Sequence, residues 1–138
     1  MKQLDPKLYQ LVVGGVPISG YSDDSMIKVS RLEDAWNLTV GADGEGTRTK
    51  TNNKSGQIEI SLKQSSASNA HLSSLALADE LENAGLVPSM VKDGNGNSIY
   101  MAEQSYVKKH ADAELNKTAT DRVWIIETDA LQMLTAGN

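Results

Sequence analysis

The sequence reads as a mainly β protein with one α-helix, a β-sandwich or barrel-like single domain spanning residues 1–138. Three observations predict this class. Apolar and polar residues alternate along most of the chain, the period-two mark of strands with one buried face. Clusters of Gly, Asn, Asp and Ser separate those runs, as turns do. Only Ser65 to Asn83 switches to helical spacing.

The first element expected is a hairpin over Leu8–Ser19. Tyr9, Leu11 and Val13 alternate with Gln10 and Val12, and Gly14-Gly15 supplies the positive φ angles of a tight turn. Val16 and Ile18 resume the pattern around Pro17, which has no N–H to give a ladder and so marks an edge strand. After the turn GYSDDS, a strand is expected over Met26–Leu32, with Ile27 and Val29 on one face and Lys28 and Ser30 on the other.

Trp36 to Lys63, WNLTVGADGEGTRTKTNNKSGQIEISLK, is the longest feature. Trp36, Leu38 and Val40 alternate in one strand, and Ile58, Ile60 and Leu62 alternate in another over Gln57–Lys63. The residues between are polar or small, with no apolar residue larger than Ala42. Hairpins turn in a few residues, and a longer loop in a compact domain usually serves a function or lacks order.

The helix of Ser65–Asn83 spreads Leu72, Leu75, Leu77, Ala78 and Leu81 over a broad apolar arc, so it is expected to cover one open end or side of the β structure. A serine at 65, 66 or 68 is its expected N-cap, and Gly85 its stop. Leu86–Lys92 and Ser98–Ala102 then form a hairpin around the turn Asp93–Asn97. Glu103–Thr120 is polar, with short strands expected at Tyr106–Lys108 and Ala113–Leu115. Asp121–Thr128 is the most apolar strand, consistent with burial on both faces. The core anchors expected from these patterns are Trp36, Ile58, Ile60, Leu62, Leu75, Leu81 and Trp124.

The chemistry the residues exclude is as informative. There is no Cys, which removes disulfides, thiolate metal sites and thiol nucleophiles. His71 and His110 lie in no nucleophile or metal motif and are read as structural or exposed. Asp93-Gly94-Asn95-Gly96-Asn97-Ser98 starts like a calcium loop, but Ser98 stands where Gly is needed and Gln104 where a bidentate Glu is needed, so a hairpin turn is the better reading. Gly41–Gly46 does not match the spacing of a phosphate cradle and carries two carboxylates. No cofactor is expected, and the inventory contains no reaction centre. The net charge of −5 argues against a dedicated binder of nucleic-acid backbone. The opening MKQLDPKLYQ has no apolar signal-peptide core, and no run approaches the ~20 apolar residues of a membrane span.

An apolar strand ending in Gly-Ala-Asp-Gly, a polar loop, Lys-Ser-Gly, an alternating strand and then Ser66-x-x-Asn69-x-x-Leu72 at the start of a helix follow one another in fixed order. That order, with the strand around Trp124, resembles the tail tube proteins of contractile-tailed (myovirus-type) bacteriophages, which are related to the tube proteins of type VI secretion systems. The resemblance covers most of the chain and least clearly Glu103–Thr120. It implies a tail tube fold with a long extended β-hairpin loop, and a structural virion protein rather than an enzyme. It implies hexameric rings stacked into a hollow inner tube, with a tail sheath outside and a tape measure protein inside during assembly. Baseplate hub and tail terminator would lie at the ends, and DNA would pass the lumen at ejection without specific binding. Such a protein is assembled in the bacterial host cytoplasm and ends in the virion tail.

Within that expectation the long loop reaches from ring to ring, through Gly41, Asp43, Gly44, Glu45, Thr47, Arg48, Lys50, Asn52 and Asn53. Asp23, Asp24 and Glu59 are the candidates for a lumen-facing acidic surface, which would keep DNA from sticking. A monomeric β-sandwich binding module for glycan or peptide is the rival. It requires an exposed aromatic platform, whereas both tryptophans sit in patterns that read as core. A secretion-system or sheath-less tube subunit is a further alternative within the structural class.

Overall fold

A computed structural model of the protein describes residues 1–23 and 26–137. A 3₁₀ turn at Pro6–Leu8 leads into β1 (Tyr9–Val13) and the two-residue β2 (Val16–Pro17). β3 (Ile27–Arg31), β4 (Trp36–Val40), β5 (Gly46–Lys50) and β6 (Gly56–Leu62) follow. The helix α1 (Ser68–Glu82) separates these from β7 (Val87–Asp93), β8 (Ser98–Lys109), β9 (Arg122–Thr128) and β10 (Gln132–Leu134). Eight strands join in one antiparallel sheet, in the order β2-β1-β7-β8-β9-β6-β3, with β10 alongside the start of β8. The other two, β4 and β5, form a separate ribbon.

The sheet curls on itself. Leu11 and Val13 of β1 share one apolar cluster with Ile58, Ile60 and Leu62 of β6, although four steps of strand order separate them. Val91, Val107, Trp124 and Ile126 join the same cluster, and Leu72 and Ala76 of α1 close it. The ladder sets Ile58 opposite Ile126 and Ile60 opposite Trp124, so these side chains face inward as pairs. Two serines sit among them. Ser105 donates to the carbonyl of Val87 at 2.6 Å and lies 2.6 Å from the Ser89 hydroxyl, satisfying polar groups that burial would otherwise penalise.

The helix packs through Ser68, Leu72 and Ala76, a line of i, i+4 positions. At about 100° per residue this line leaves Leu77 and Leu81 on the far side. Leu81 is therefore not the anchor its spacing suggests, being 74% exposed, while Leu75 packs partly buried against the core. The N-terminus is capped one residue away from the usual position. Ala67 is the cap residue and makes no side-chain bond, but the Ser66 hydroxyl accepts from the Ser68 N–H at 3.2 Å. The same hydroxyl donates to the Ser19 carbonyl at 2.6 Å, which ties the helix start to the chain after β2. Asn83, with φ of 54°, ends the helix in the left-handed region, so Gly85 is not the stop.

Three strand expectations change. Ser98–Ala102 and Tyr106–Lys108 are parts of one strand, β8, whose register shifts against β7 between Val87 and Ser89 and against β9 between Val107 and Lys109. Ala113–Leu115 forms no strand. In β9 only Trp124, Ile126 and Thr128 are buried, while Val123 is exposed and Ile125 half-buried, so one face carries the burial. Pro17 does sit in the edge strand. No helix among the described residues is long and apolar enough to cross a membrane.

Candidate assembly surfaces

Trp36 to Lys50 is a β-hairpin arm. Trp36 pairs with Lys50, Leu38 with Arg48 and Val40 with Gly46, and the Thr51 N–H closes the base on the Ala35 carbonyl at 2.8 Å. At the tip Gly44 takes φ of 86°, its N–H donates to the Gly41 carbonyl at 2.9 Å, and the Asp43 carboxylate accepts from the Glu45 N–H at 3.1 Å. These bonds give Gly41, Asp43, Gly44 and Glu45 a defined turn. The long polar loop is half strand, because Thr47-Arg48-Thr49 carries enough β preference to pair back on Trp36–Val40.

The arm overturns the place given to Trp36. Trp36 is 43% exposed, and Leu38 and Val40 are 72% and 59% exposed. Period-two alternation arises on a free ribbon as readily as on a half-buried sheet, and here no second layer covers the apolar side. The same side carries Arg48 and Lys50, opposite Leu38 and Trp36 on the ladder. Asn37, Thr39, Thr47 and Thr49 make the other face. Asn52 and Asn53 lie beyond the ribbon, in the return to β6. The exposed Trp36 supplies the aromatic that a binding module would need, yet it sits on a narrow arm under an arginine rather than on a broad platform.

The arm leaves a fixed shoulder. Its two ends run from Arg31 and Gly56, which are ladder partners in β3 and β6. The Arg31 guanidinium donates to the Leu131 carbonyl at 2.7 and 3.2 Å, and the Leu131 N–H donates to the Lys54 carbonyl at 2.9 Å. Leu131 also lies against Gly56, leaving no room for a Cβ there.

Two of the three acidic candidates lie among the described residues, each beside a lysine. Asp23 is exposed and ion-paired with Lys63 at 3.5 Å. Glu59 is half-buried on the sheet's second face, beside Lys28 in the ladder. Asp24 lies outside the described residues. On the same second face Tyr106 donates to Glu127 at 2.6 Å and Lys108 stands 3.4 Å from that carboxylate. This hydrogen bond, helped by Lys108, holds Glu127 below its ordinary range, and it pushes the Tyr106 phenol up to about 12.

The three motif residues Ser66, Asn69 and Leu72 all have structural work. Asn69 accepts from the Trp124 indole N–H at 2.9 Å and donates to the carbonyls of Lys63 and Gln64, and Leu72 is fully buried. His71 lies 2.9 Å from the Val13 carbonyl, and His110 is 3.6 Å from Glu80. Asp93–Asn97 is a turn whose Asn95 side chain exchanges two hydrogen bonds with Asp5. No group of three or more His, Cys, Asp or Glu that could hold a metal occurs among the described residues.

A cleft of about 500 Å³ opens where the ends of the curled sheet approach each other. Ile27 and Val29 of β3 line one side, and Tyr9, Val91, Lys92, Asp93 and Tyr100 the other. Sequence patterning did not point to this cleft, because it depends on curvature that brings β3 near β1. The apolar side of the arm was visible as Trp36, Leu38 and Val40. The telling signal was that Gly46–Lys50 offers no apolar partner to bury them.

Residues 12–135 match the family described as Bacteriophage PhiTE tail tube protein. The chain is 29% identical over 123 residues to "Structural protein ORF10" of Pseudomonas phage KPP10, covering 88% of this chain and 71% of that one. Among solved structures it is similar to a sheath/tube terminator of an extracellular contractile injection system, PVC, with a TM-score of 0.69, 10% identity, and 98% and 99% of the two chains covered. It is also similar to the tube-terminating cap of the anti-feeding prophage, with a TM-score of 0.64, 10% identity, and 99% and 93% covered. A chain of the PVC sheath-tube complex gives a TM-score of 0.64 at 10% identity, with 97% and 93% covered. At that identity these likenesses establish the fold.

Proposed function

This chain belongs to the bacteriophage PhiTE tail tube protein family, and from that premise we propose that its copies form rings that stack into the hollow inner tube of the tail. Membership makes it a structural protein of the virion tail and not an enzyme. In the proposed tube the rings are hexameric, a sheath surrounds them, and a terminator and baseplate hub close the ends. A tape measure protein fills the lumen during assembly in the host cytoplasm, and DNA crosses it at ejection. The fold shared with a sheath-tube complex and a sheath/tube terminator supports the sheath and terminator as partners.

The observation that carries this reading is the arm. A two-stranded ribbon is marginal on its own in water, and this one exposes every residue from Trp36 to Lys50. A surface of that kind is kept for a partner. Contacts within a ring close by rotation, whereas ring-to-ring contacts stay open and grow a filament. β3 contributes to the first kind, since among the described residues its outer edge pairs with no strand and carries no Pro. The net charge of −5 is consistent with DNA passing without being held.

Electron microscopy of the purified protein tests the reading. Rings or hollow tubes are expected. A species that stays monomeric at high concentration overturns it.

A further inference from the structure

Resting on the stacked-ring reading, we propose that the arm of one copy inserts its Trp36–Leu38–Val40 side into the cleft between β3 and β1-β7-β8 of a copy in the adjoining ring. The arm has an unburied apolar side and the cleft an unfilled apolar one. Ile27, Val29 and Tyr100 pack only partly against the core and, with Tyr9, line a space of about 500 Å³. That falls in the range of about 300–1,000 Å³ over which protein pockets bury a ligand's surface. A tryptophan followed at alternate positions by two aliphatic side chains is suited to such a slot, because strand geometry spaces them about 6.6 Å apart along one side.

The charges also match. Arg48 and Lys50 flank the arm's apolar side, and Asp93, whose carboxylate also accepts from the Asn95 N–H, lines the cleft. The tip of the arm carries Asp43 and Glu45, and Lys92 stands beside Asp93. One wall of the cleft is formed by Ile27 and Val29 of β3, so the arm meets side chains there and the strand's outer edge stays available to a neighbour in the same ring. Arm and cleft lie on every copy, so the contact joins unlike surfaces and repeats without end, as a growing tube requires.

The chain has no cysteine, so introduced pairs report without background. Leu38→Cys is combined in turn with Ile27→Cys, Val29→Cys and Tyr100→Cys, and with Leu81→Cys on the far side of α1 as control. Tubes are treated with an oxidant and, in parallel, with a short bismaleimide, since a disulfide demands Cβ atoms about 3.5–4.5 Å apart. The expected result is a ladder of covalent oligomers from cleft pairs in tubes, lost in unassembled protein and in the control. Tubes that form while no cleft pair links, or while the control links equally, overturn the docking site and leave the tube reading standing. Should the variants fail to assemble, the wild-type chain decides. Acrylamide quenching of Trp36 is expected to fall several-fold on assembly, and unchanged quenching in tubes overturns the docking. If the wild-type chain forms no tubes, the tube reading and the docking fall together.

Discussion

The guanidinium of Arg48 lies 3.8 Å from the centre of the Trp36 ring, one ladder step diagonally across the arm. The contact covers part of an indole that would otherwise stand in water, and at exposed sites it is worth about 0.5–1 kcal/mol. Acrylamide quenching of the unassembled protein is therefore expected to show two tryptophans of unlike access, Trp36 open and Trp124 shielded. Arg48→Ala increases quenching of the open one alone. A single shielded population would mean that the arm does not stand free.

Replacing Trp36–Lys50 by a short Gly/Ser linker removes no buried residue. The main sheet is expected to keep its thermal midpoint to within a few degrees, a change below about 1 kcal/mol. Tubes should be absent in micrographs of this variant. Tubes of normal length and stability would refute the arm's role in stacking.

Ile60 and Leu81 look alike in the sequence pattern and differ in the fold. Ile60 is fully buried opposite Trp124, while Leu81 faces outward. Urea denaturation should show Ile60→Ala losing about 2–5 kcal/mol and Leu81→Ala within about 0.5 kcal/mol of the parent. Equal losses would contradict the helix orientation described above.

Gly56→Ala sets a methyl group against Leu131 and 2.9 Å from the Ser30 carbonyl. The Leu131 side chain can turn its Cδ2 aside, but its Cβ and the Ser30 carbonyl are fixed to the backbone, so a loss of about 1–3 kcal/mol in urea is expected. An unchanged midpoint would show that the shoulder yields.

The Tyr106–Glu127 pair makes stability depend on pH at both ends. Glu127 is held low, so its contribution is present above the ordinary carboxylate value of about 4.3 and is lost as pH falls through its lower folded value. Tyr106 is pushed up to about 12, so its share is present below about 10 and is lost as pH rises toward the folded value. Tyr106→Phe should flatten the urea midpoint against pH on the acid side and remove one late phenolate from the absorbance titration. Tyr21, raised to about 12 by burial, still ionises late. An acid limb identical to the parent's would show that Glu127 draws nothing from the phenol.

Much of the fold is legible in local pattern, because most strands here show their buried side to a single core. Ile58, Ile60, Leu62 and Trp124 lie where alternation puts them, and Pro17 where its missing N–H does. Trp36 and Leu81 mislead for one reason. Periodicity reveals that a side is apolar, and only the arrangement of other elements decides whether something covers it. Ser66, Asn69 and Leu72 drew attention as a motif, and each is held by a distant contact that spacing does not display. The cleft and the shoulder at Leu131 depend on segments as far apart as Arg31 and Leu131, beyond the reach of any local pattern.

That shoulder decides where a load goes. Tension along the arm leaves through its two short linkers and enters β3 and β6 at Arg31 and Gly56, which are cross-strand partners. Both strands are then drawn the same way, so the bonds between them see little relative motion. The resisting element becomes the seven-residue ladder of β6 on β9, loaded in shear along its whole length rather than unzipped one bond at a time. A hairpin hung from two separated strands would peel its own sheet open. Hung from two neighbours and clamped by Arg31 to Leu131, it can be pulled by a neighbouring subunit while the core behind it keeps its shape.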